Sequence, residues 1–143
     1  MASRYDIRKL VIQTLFESDF RNQFDLENIK SILRRNFKDE LSIETPEFAE
    51  TLALGVLAKK EVLDAVIRKA APEWPLEKID NVDRNVLRLG LYELLFPKES
   101  GTPEKVAINE AIEMAKSFSG ETSAKFVNGV LGSVLKDLKI EQK

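Results

Sequence analysis

Apolar residues recur at helical spacing along almost the whole chain, and this periodicity limits the fold more than any other feature. Between Ile7 and Leu15 the side chains of one predicted face recur at i, i+3, i+4, i+7 and i+8. The segment from Val127 to Leu138 has the same kind of apolar face. No stretch of convincing length alternates between apolar and polar residues, as a half-buried strand would. The chain is therefore predicted to be all-α.

Proline and glycine mark the ends of the predicted helices. Residues 45–47 and 102–104 each read Thr-Pro-Glu, a hydroxyl cap followed by proline at the first helical position and an acid in the first turn. Pro72 and Pro75 end one helix, and Gly120 is a natural left-handed terminator of another. We expect a compact helical bundle made of two packed three-helix sub-bundles. No internal repeat is visible, so residues 1–143 are interpreted as a single domain.

The 143-residue chain contains neither cysteine nor histidine, and this excludes several classes of chemistry. Disulfides and thiolate metal sites are impossible, and a Ser-His or Cys-His nucleophile pair cannot form. No apolar run approaches the roughly 20 residues that span a bilayer, and the amino terminus lacks the apolar core of a secretory signal. We therefore expect a cytoplasmic protein that binds no membrane, metal or cofactor.

The amino-terminal third is weakly basic, although the whole chain has a net charge of −2. Residues 1–38 contain eight Lys and Arg residues against five Asp and Glu residues. Arg4 and Arg8 are four residues apart on one predicted helical face, and Lys9 is adjacent. Guanidinium groups bind phosphates and stack on unpaired bases, which suits single-stranded RNA. The alternative is an ordinary solvated helix start, in which Asp6 weakens the positive field.

The segment from Lys125 to Leu131 places an aromatic residue and a glycine inside a predicted helix. Phe126 lies off the apolar face of this helix, beside Lys125, where it can stack on a base or make a peripheral core contact. Both interpretations remain open. Glycine inside a helix is less favourable than alanine by about 1 kcal/mol, so we expect Gly129 to allow the close approach of another helix.

A polar pair interrupts the apolar segment 107–112. We expect Asn109 to hydrogen-bond a neighbouring helix, because a buried polar group needs a partner. Glu110 is expected to pair with an arginine of the preceding helix, either Arg84 or Arg88. Carboxylate pairs at the i, i+3 spacing of di-metal bundles also occur in the chain, but those sites require histidine as well.

Four segments carry motifs that occur together in one family. They read RKLVIQTLF at residues 8–16, VDRNVLRLGLYEL at 82–94, PEKVAINEAIEMAK at 103–116 and KFVNGVL at 125–131. The second resembles the D-R-x-x-L-R-L-x-x-Y-E-L segment of the NusB family of bacterial transcription antitermination factors. The other three are similar to family motifs, and all four stand in family order. The resemblance extends over nearly the whole chain.

The resemblance implies a fold, partners and contact residues. NusB proteins are two packed three-helix bundles without enzymatic activity. With the small-subunit ribosomal protein NusE they bind the boxA element of nascent RNA, and so help RNA polymerase pass terminators, notably in ribosomal RNA operons. Carried over to the matching positions, the implied RNA contacts are Arg4, Arg8, Lys9, Lys125 and Phe126. The implied contacts to the protein partner are Phe16, Glu77 and Asp83.

Two departures from the family pattern keep a rival function open. Tyr5 and Asp6 interrupt a stretch in which family members often have successive arginines, and Phe16 stands where tyrosine is usual. The rival is a protein-only interaction module with reduced or lost RNA binding. A second rival, from a different class, is a metal-dependent hydrolase that uses carboxylates alone.

Overall fold

A computed structural model describes residues 2–141, and these form seven α-helices and one short 3₁₀ helix without any strand. The helices are α1 (Arg4–Phe20), α2 (Leu26–Leu41), α3 (Glu47–Ala70), α4 (Asn81–Leu95), α5 (Pro97–Ser100), α6 (Glu104–Ser119) and α7 (Glu121–Glu141). The 3₁₀ helix, Leu76–Lys78, precedes α4. The prediction of an all-α fold is confirmed. Across the described residues, no helix has both the length and the apolar character that crossing a bilayer requires.

Short polar side chains begin three of the helices. Ser3, Asp25 and Asp80 accept hydrogen bonds from backbone N–H groups in the first turns of α1, α2 and α4. These bonds satisfy donors that would otherwise have no intrahelical acceptor.

The two Thr-Pro-Glu segments begin α3 and α6 in a different way from the one predicted. Pro46 and Pro103 have extended backbone and precede the first helical residue, and neither helix has a side-chain cap. The hydroxyl caps predicted at Thr45 and Thr102 are wrong. The Thr102 hydroxyl instead bonds the Glu93 carboxylate of α4, so tertiary pairing replaces the local cap.

α4 is the central helix and is covered on several sides. It packs against α1, α3, α6 and α7, while α1, α2 and α3 contact one another and α6 contacts α7. Where α3 meets α4, a Cβ atom at Gly55 would lie 2.1 Å from the Tyr92 ring. Only glycine permits that approach. On the other side of α4, a Cβ atom at Gly90 would lie 2.9 Å from the Ala111 Cβ atom.

Gly129 has no such packing role. A Cβ atom at this position would meet no atom within 4 Å, and the residue is exposed. The expectation that Gly129 admits another helix is therefore wrong. Residue type alone did not reveal that its side of α7 faces solvent.

Candidate functional site

A network of ion pairs joins the carboxyl end of α1 to the amino end of α4. The Asp19 carboxylate accepts hydrogen bonds from three side chains of α4: Arg84 at 2.9 Å, Asn85 at 3.0 Å and Arg88 at 2.8 Å. Arg88 also donates to Asp64 of α3 at 2.8 Å. Burial raises the pKa of the Asp19 carboxyl, but Arg88 and the other donors outweigh it, so this pKa lies below its ordinary value.

Arg84 links this network to the 3₁₀ helix. Its guanidinium donates to the backbone carbonyl of Leu76 at 3.1 Å as well as to Asp19. The exposed Glu77 follows Leu76 in the sequence.

Two aromatic rings lie at the carboxyl end of α1, the end that contains Asp19. Phe16 and Phe20 stack there with 6.1 Å between ring centres, and they are 36% and 74% exposed. The sequence-predicted residue Phe16 therefore belongs to a larger aromatic patch, which Phe20 extends.

A cavity of about 230 Å³ opens beside the start of α4, and we call it the Asp83 cavity. Its lining includes Trp74, Lys78, Asp83, Thr122, Ser123 and Phe126. The structure thus brings together Asp83, predicted to contact a protein, and Phe126, predicted to contact RNA. Trp74 is 55% exposed and was given no functional role by the sequence reasoning. Its place between two prolines was the one signal that could have indicated a fixed, exposed ring.

Asp83 is only partly satisfied within this cavity. The residue is 8% exposed, and Ser123 donates to its Oδ2 atom at 3.1 Å. Its Oδ1 atom is buried and accepts no hydrogen bond from the described residues. Burial raises the pKa of the Asp83 carboxyl, with a further contribution from the nearby Asp80 charge, although the Ser123 hydrogen bond acts in the opposite direction.

Arg8 lies inside the fold, where α1 meets the carboxyl half of α4. It is 3% exposed, and its guanidinium donates to the Glu93 carboxylate at 3.0 Å and 2.9 Å. The Phe48 ring of α3 lies 5.2 Å from the Arg8 guanidinium carbon and 4.1 Å from that of Arg4. Direct contact between Arg8 and RNA would require this buried pair to break.

Glu110 pairs with a different arginine from those predicted. Its carboxylate lies 3.8 Å from the Arg8 guanidinium, whereas Arg84 and Arg88 pair with aspartates. The prediction for Glu110 is therefore wrong in its partner. Asn109 is exposed rather than buried against another helix, so that expectation is wrong as well.

The length of α4 separates the two halves of the predicted RNA contact. Arg8 contacts Glu93, whereas Phe126 shares the Asp83 cavity near the opposite end of the helix. Glu93 and Asp83 are ten residues apart, which corresponds to about 15 Å along a helix axis. The predicted contact residues therefore form two groups rather than one patch.

The exposed side chains of these two groups are available to a ligand. Arg4 is exposed and Lys9 half-buried at the amino end of α1, and Lys125 is exposed beside the half-buried Phe126 at the start of α7. No group of three or more acidic side chains in residues 2–141 is arranged to hold a metal ion. The arrangement offers cations and aromatic rings, which are groups for binding, beside a buried carboxylate oxygen of Asp83 that accepts no hydrogen bond from the described residues.

The sequence matches known proteins over most of its length. The model of the NusB family matches residues 6–136. The transcription antitermination protein NusB of Dehalococcoides mccartyi is 44% identical over 136 residues, which are 95% of this chain and 92% of that relative.

Solved structures have the same fold. The structure of T. maritima NusB superposes with a TM-score of 0.75 at 35% identity, covering 94% of this chain and 92% of that one. A crystal structure of the antitermination factors NusB and NusE in complex with double-stranded RNA superposes with a TM-score of 0.75 at 26% identity. It covers 95% of this chain and 99% of the matched chain.

Proposed function

The chain belongs to the NusB family, and from that premise we propose that it is a transcription antitermination factor that binds boxA-type single-stranded RNA together with the ribosomal protein NusE. The RNA is a nascent transcript, in particular a ribosomal RNA transcript. Bound there, the protein supports processive elongation and reaches RNA polymerase only indirectly. The protein catalyses no reaction and acts by holding its partners together. It works in the cytoplasm, and residues 1–143 form one domain.

The observation that carries this proposal is that the residues expected to contact the partner and those expected to contact RNA adjoin at the amino end of α4. The proposed partner surface consists of Phe16, Glu77 and Asp83, with Phe20 beside Phe16, and the proposed RNA surface begins at Lys125 and Phe126. Arg84 connects the 3₁₀ helix to the end of α1, and the Asp83 cavity borders the RNA surface. A protein bound on the first surface would therefore lie beside RNA bound on the second.

A second group of cations extends the RNA surface toward the other end of α4. Arg4 and Lys9 supply phosphate contacts there, since both have solvent-accessible side chains. Arg8 does not contact RNA itself but positions these two cations. Its buried bond to Glu93 fixes the first turns of α1 and therefore the positions of Arg4 and Lys9.

Similar proteins support both partners. The solved complex of similar fold contains NusE and double-stranded RNA, which supports pairing a ribosomal protein and RNA with this scaffold. The preference for a single-stranded boxA element rests on the motif resemblance. Aromatic and arginine side chains are the usual means of holding unpaired bases, which agrees with Phe126 and Arg4.

Anisotropy of a labelled boxA-type RNA, measured with and without purified NusE, tests the proposal. We expect weak binding by the protein alone and binding tighter by about 5–150-fold with NusE, the usual range of coupling between two sites. A scrambled RNA of equal length is the control. Phe16→Ala should abolish most of the gain from NusE, whereas Val62→Ala, which removes an exposed apolar side chain of α3, should leave it unchanged.

The protein-only module is the second candidate, and the burial of Arg8 favours it because one of the few amino-terminal cations is engaged within the fold. The same measurement separates the two candidates. Tight NusE binding with no RNA binding in either condition would support the module and contradict the RNA-binding part of the proposal.

A further inference from the structure

The segment between α3 and α4, residues 71–80, contains the exposed Glu77 but makes few polar contacts with the rest of the fold. Its backbone hydrogen bonds join residues of the segment itself, apart from those with the adjoining helices. Leu76 and Ile79 are buried against the core, yet hydrophobic contact is non-directional and does not fix an orientation. Among the described residues, Arg84 is the one side chain that hydrogen-bonds the backbone of this segment. The placement of Glu77 therefore depends on Arg84.

Arg84 uses its guanidinium on two different elements. Its Nε atom donates to Asp19, in the last turn of α1, at 2.9 Å, and its Nη1 atom donates to two carbonyls of the segment at 3.1 Å and 3.3 Å. A planar guanidinium with five donors can hold both elements in a fixed geometry, whereas the compact ammonium of lysine cannot. Arg84 therefore sets the placement of Glu77 relative to the end of α1, which contains Phe16.

Asp19 has other partners that remain when Arg84 is replaced. Arg88 donates to the same carboxylate oxygen at 2.8 Å, and Asn85 does so at 3.0 Å. These bonds hold the end of α1 against α4 without Arg84. The segment between α3 and α4 has no second side-chain donor of this kind in the part of the chain that the structure describes. Replacing Arg84 should therefore displace this segment while the end of α1 stays in place.

Resting on the NusE-binding function proposed above, we infer that Arg84 is a positioning residue for the partner surface. Its side chain is 13% exposed and is engaged by both elements, so it does not bind NusE itself. It fixes Glu77 relative to Phe16, and both side chains then reach the partner at once.

The test measures the affinity of full-length variants for labelled NusE by anisotropy. Arg84→Lys keeps a cation beside Asp19 but loses the bridge to the segment. It should weaken NusE binding about two- to fivefold, and Glu77→Ala should do the same, because both remove one ion pair or hydrogen bond at the edge of an interface. Arg68→Lys, the same change at an exposed arginine of α3, is the matched control and should leave the affinity unchanged.

Double variants separate positioning from general stability. In the Arg84→Lys background, Glu77→Ala should weaken NusE binding by less than about 1.5-fold further, because the contact that it removes is already lost. Phe16→Ala should weaken binding as much in this background as in the wild type, because Arg88 still holds the end of α1.

Trp74 reports on the segment in the absence of NusE. It is the only tryptophan of the chain and lies within residues 71–80. In Arg84→Lys the fast component of its fluorescence anisotropy decay should grow while the helical circular dichroism stays unchanged. A residue that only stabilised the fold would leave this component unchanged in the folded protein. If Arg84→Lys loses helicity, Arg84→Gln replaces it, since Asp19 stays paired with Arg88.

Wild-type NusE affinity in Arg84→Lys, or an effect of Glu77→Ala that is as large there as in the wild type, would overturn the inference. Loss of the Phe16→Ala effect in that background would also overturn it, because Arg84 would then hold the whole end of α1. So would an absence of any Glu77→Ala effect in the wild type, since no contact would need positioning. Absence of NusE binding by the wild type would instead contradict the proposed function itself.

Discussion

Asp19 and Asp83 lie near the same end of α4, yet their carboxyl pKa values shift in opposite directions. Both are partly removed from solvent, which raises a carboxyl pKa. Asp19 is surrounded by Arg84 and Arg88, and these cations lower its pKa below the ordinary value. Asp83 has one hydroxyl donor and no cation at hydrogen-bond distance among the described residues. The contrast between a satisfied and an unsatisfied carboxylate separates a structural residue from a candidate binding residue.

The raised pKa of Asp83 predicts how the stability of the Asp83→Asn variant depends on pH. The ordinary pKa is 3.8, and in the folded chain it is higher, so the folded state binds the proton more tightly than the unfolded state between the two values. The free energy of unfolding therefore falls as pH rises through that window. Asparagine has no such loss, so the stability of Asp83→Asn relative to the wild type should improve between about pH 4 and pH 7.

Urea unfolding of the two proteins at both pH values measures this difference. Thr122→Ala, which removes an uncharged exposed side chain at the same cavity, is the control and should show no pH-dependent difference. If the free energies of unfolding of the wild type and Asp83→Asn differed equally at both pH values, the prediction would be contradicted. Asp83 would then have the same pKa in the folded and unfolded states.

We expect Arg8 to contribute to the stability of the fold rather than directly to RNA binding. Arg8→Ala leaves Glu93 buried without its cation, and breaking a buried pair in this way costs about 3–5 kcal/mol. Arg4→Ala removes an exposed cation whose only described contact is the Phe48 ring, so its cost should stay within about 1 kcal/mol. Chemical denaturation compares the two variants. Equal and small losses would mean that the Arg8–Glu93 pair contributes little to the fold.

At the scale of single elements, the apolar periodicity was sufficient to predict that the segments are helices and roughly where they lie. The predicted faces of α1 and α7 are buried at Val11, Leu15, Val127 and Leu131. The starts of α3 and α6 were less predictable, because a local Thr-Pro-Glu signal does not exclude a tertiary use of the hydroxyl. Thr102 bonds Glu93, which lies nine residues earlier in the sequence and on another helix.

The sequence pattern could not predict which side chains of different helices would pair. Arg4 and Arg8 belong to one predicted face, but the Glu93 that removes Arg8 from solvent is 85 residues away. The same holds for the Asp83 cavity, which is assembled from the turn after α3, the start of α4 and the start of α7. A single sequence specifies which residues can bind, whereas the packing of α4 decides which of them meet.

The glycines of the helices provide a test of packing at the scale of the element. Gly55→Ala places a Cβ atom against the Tyr92 ring between α3 and α4, and overpacking of this kind costs about 1–3 kcal/mol. Gly129→Ala meets no atom within 4 Å on α7, so the higher helix propensity of alanine should stabilise the protein by about 1 kcal/mol. Thermal unfolding measures both changes. Destabilisation by Gly129→Ala would indicate that this side of α7 is covered.

For the whole molecule, α4 determines the path of an RNA strand that uses the proposed contacts. Lys125, Phe126 and the Asp83 cavity are near its amino end, while Arg4 and Lys9 lie with Arg8 toward the opposite end, about 15 Å farther along the axis. A strand that uses both groups must follow the length of the helix. A strand held only at the amino end would leave the first turn of α1 free.

The salt dependence of RNA binding distinguishes these two paths. Each phosphate contact on a single strand contributes about −0.7 to the slope of log K against log salt. If the strand follows α4, Arg4→Ala and Lys125→Ala should each make the slope less negative by about 0.7. Arg8→Met should leave the slope of the folded protein unchanged, since the charge of Arg8 is neutralised within the fold.

Because NusE adds cations of its own, the comparison is made between variants in the same complex. Lys38→Ala, an exposed cation of α2, which packs on α1 and α3, is the control. A slope that responds to Lys125→Ala but not to Arg4→Ala would confine the RNA to the amino end of α4, and a response to Lys38→Ala would indicate nonspecific attraction instead of either path.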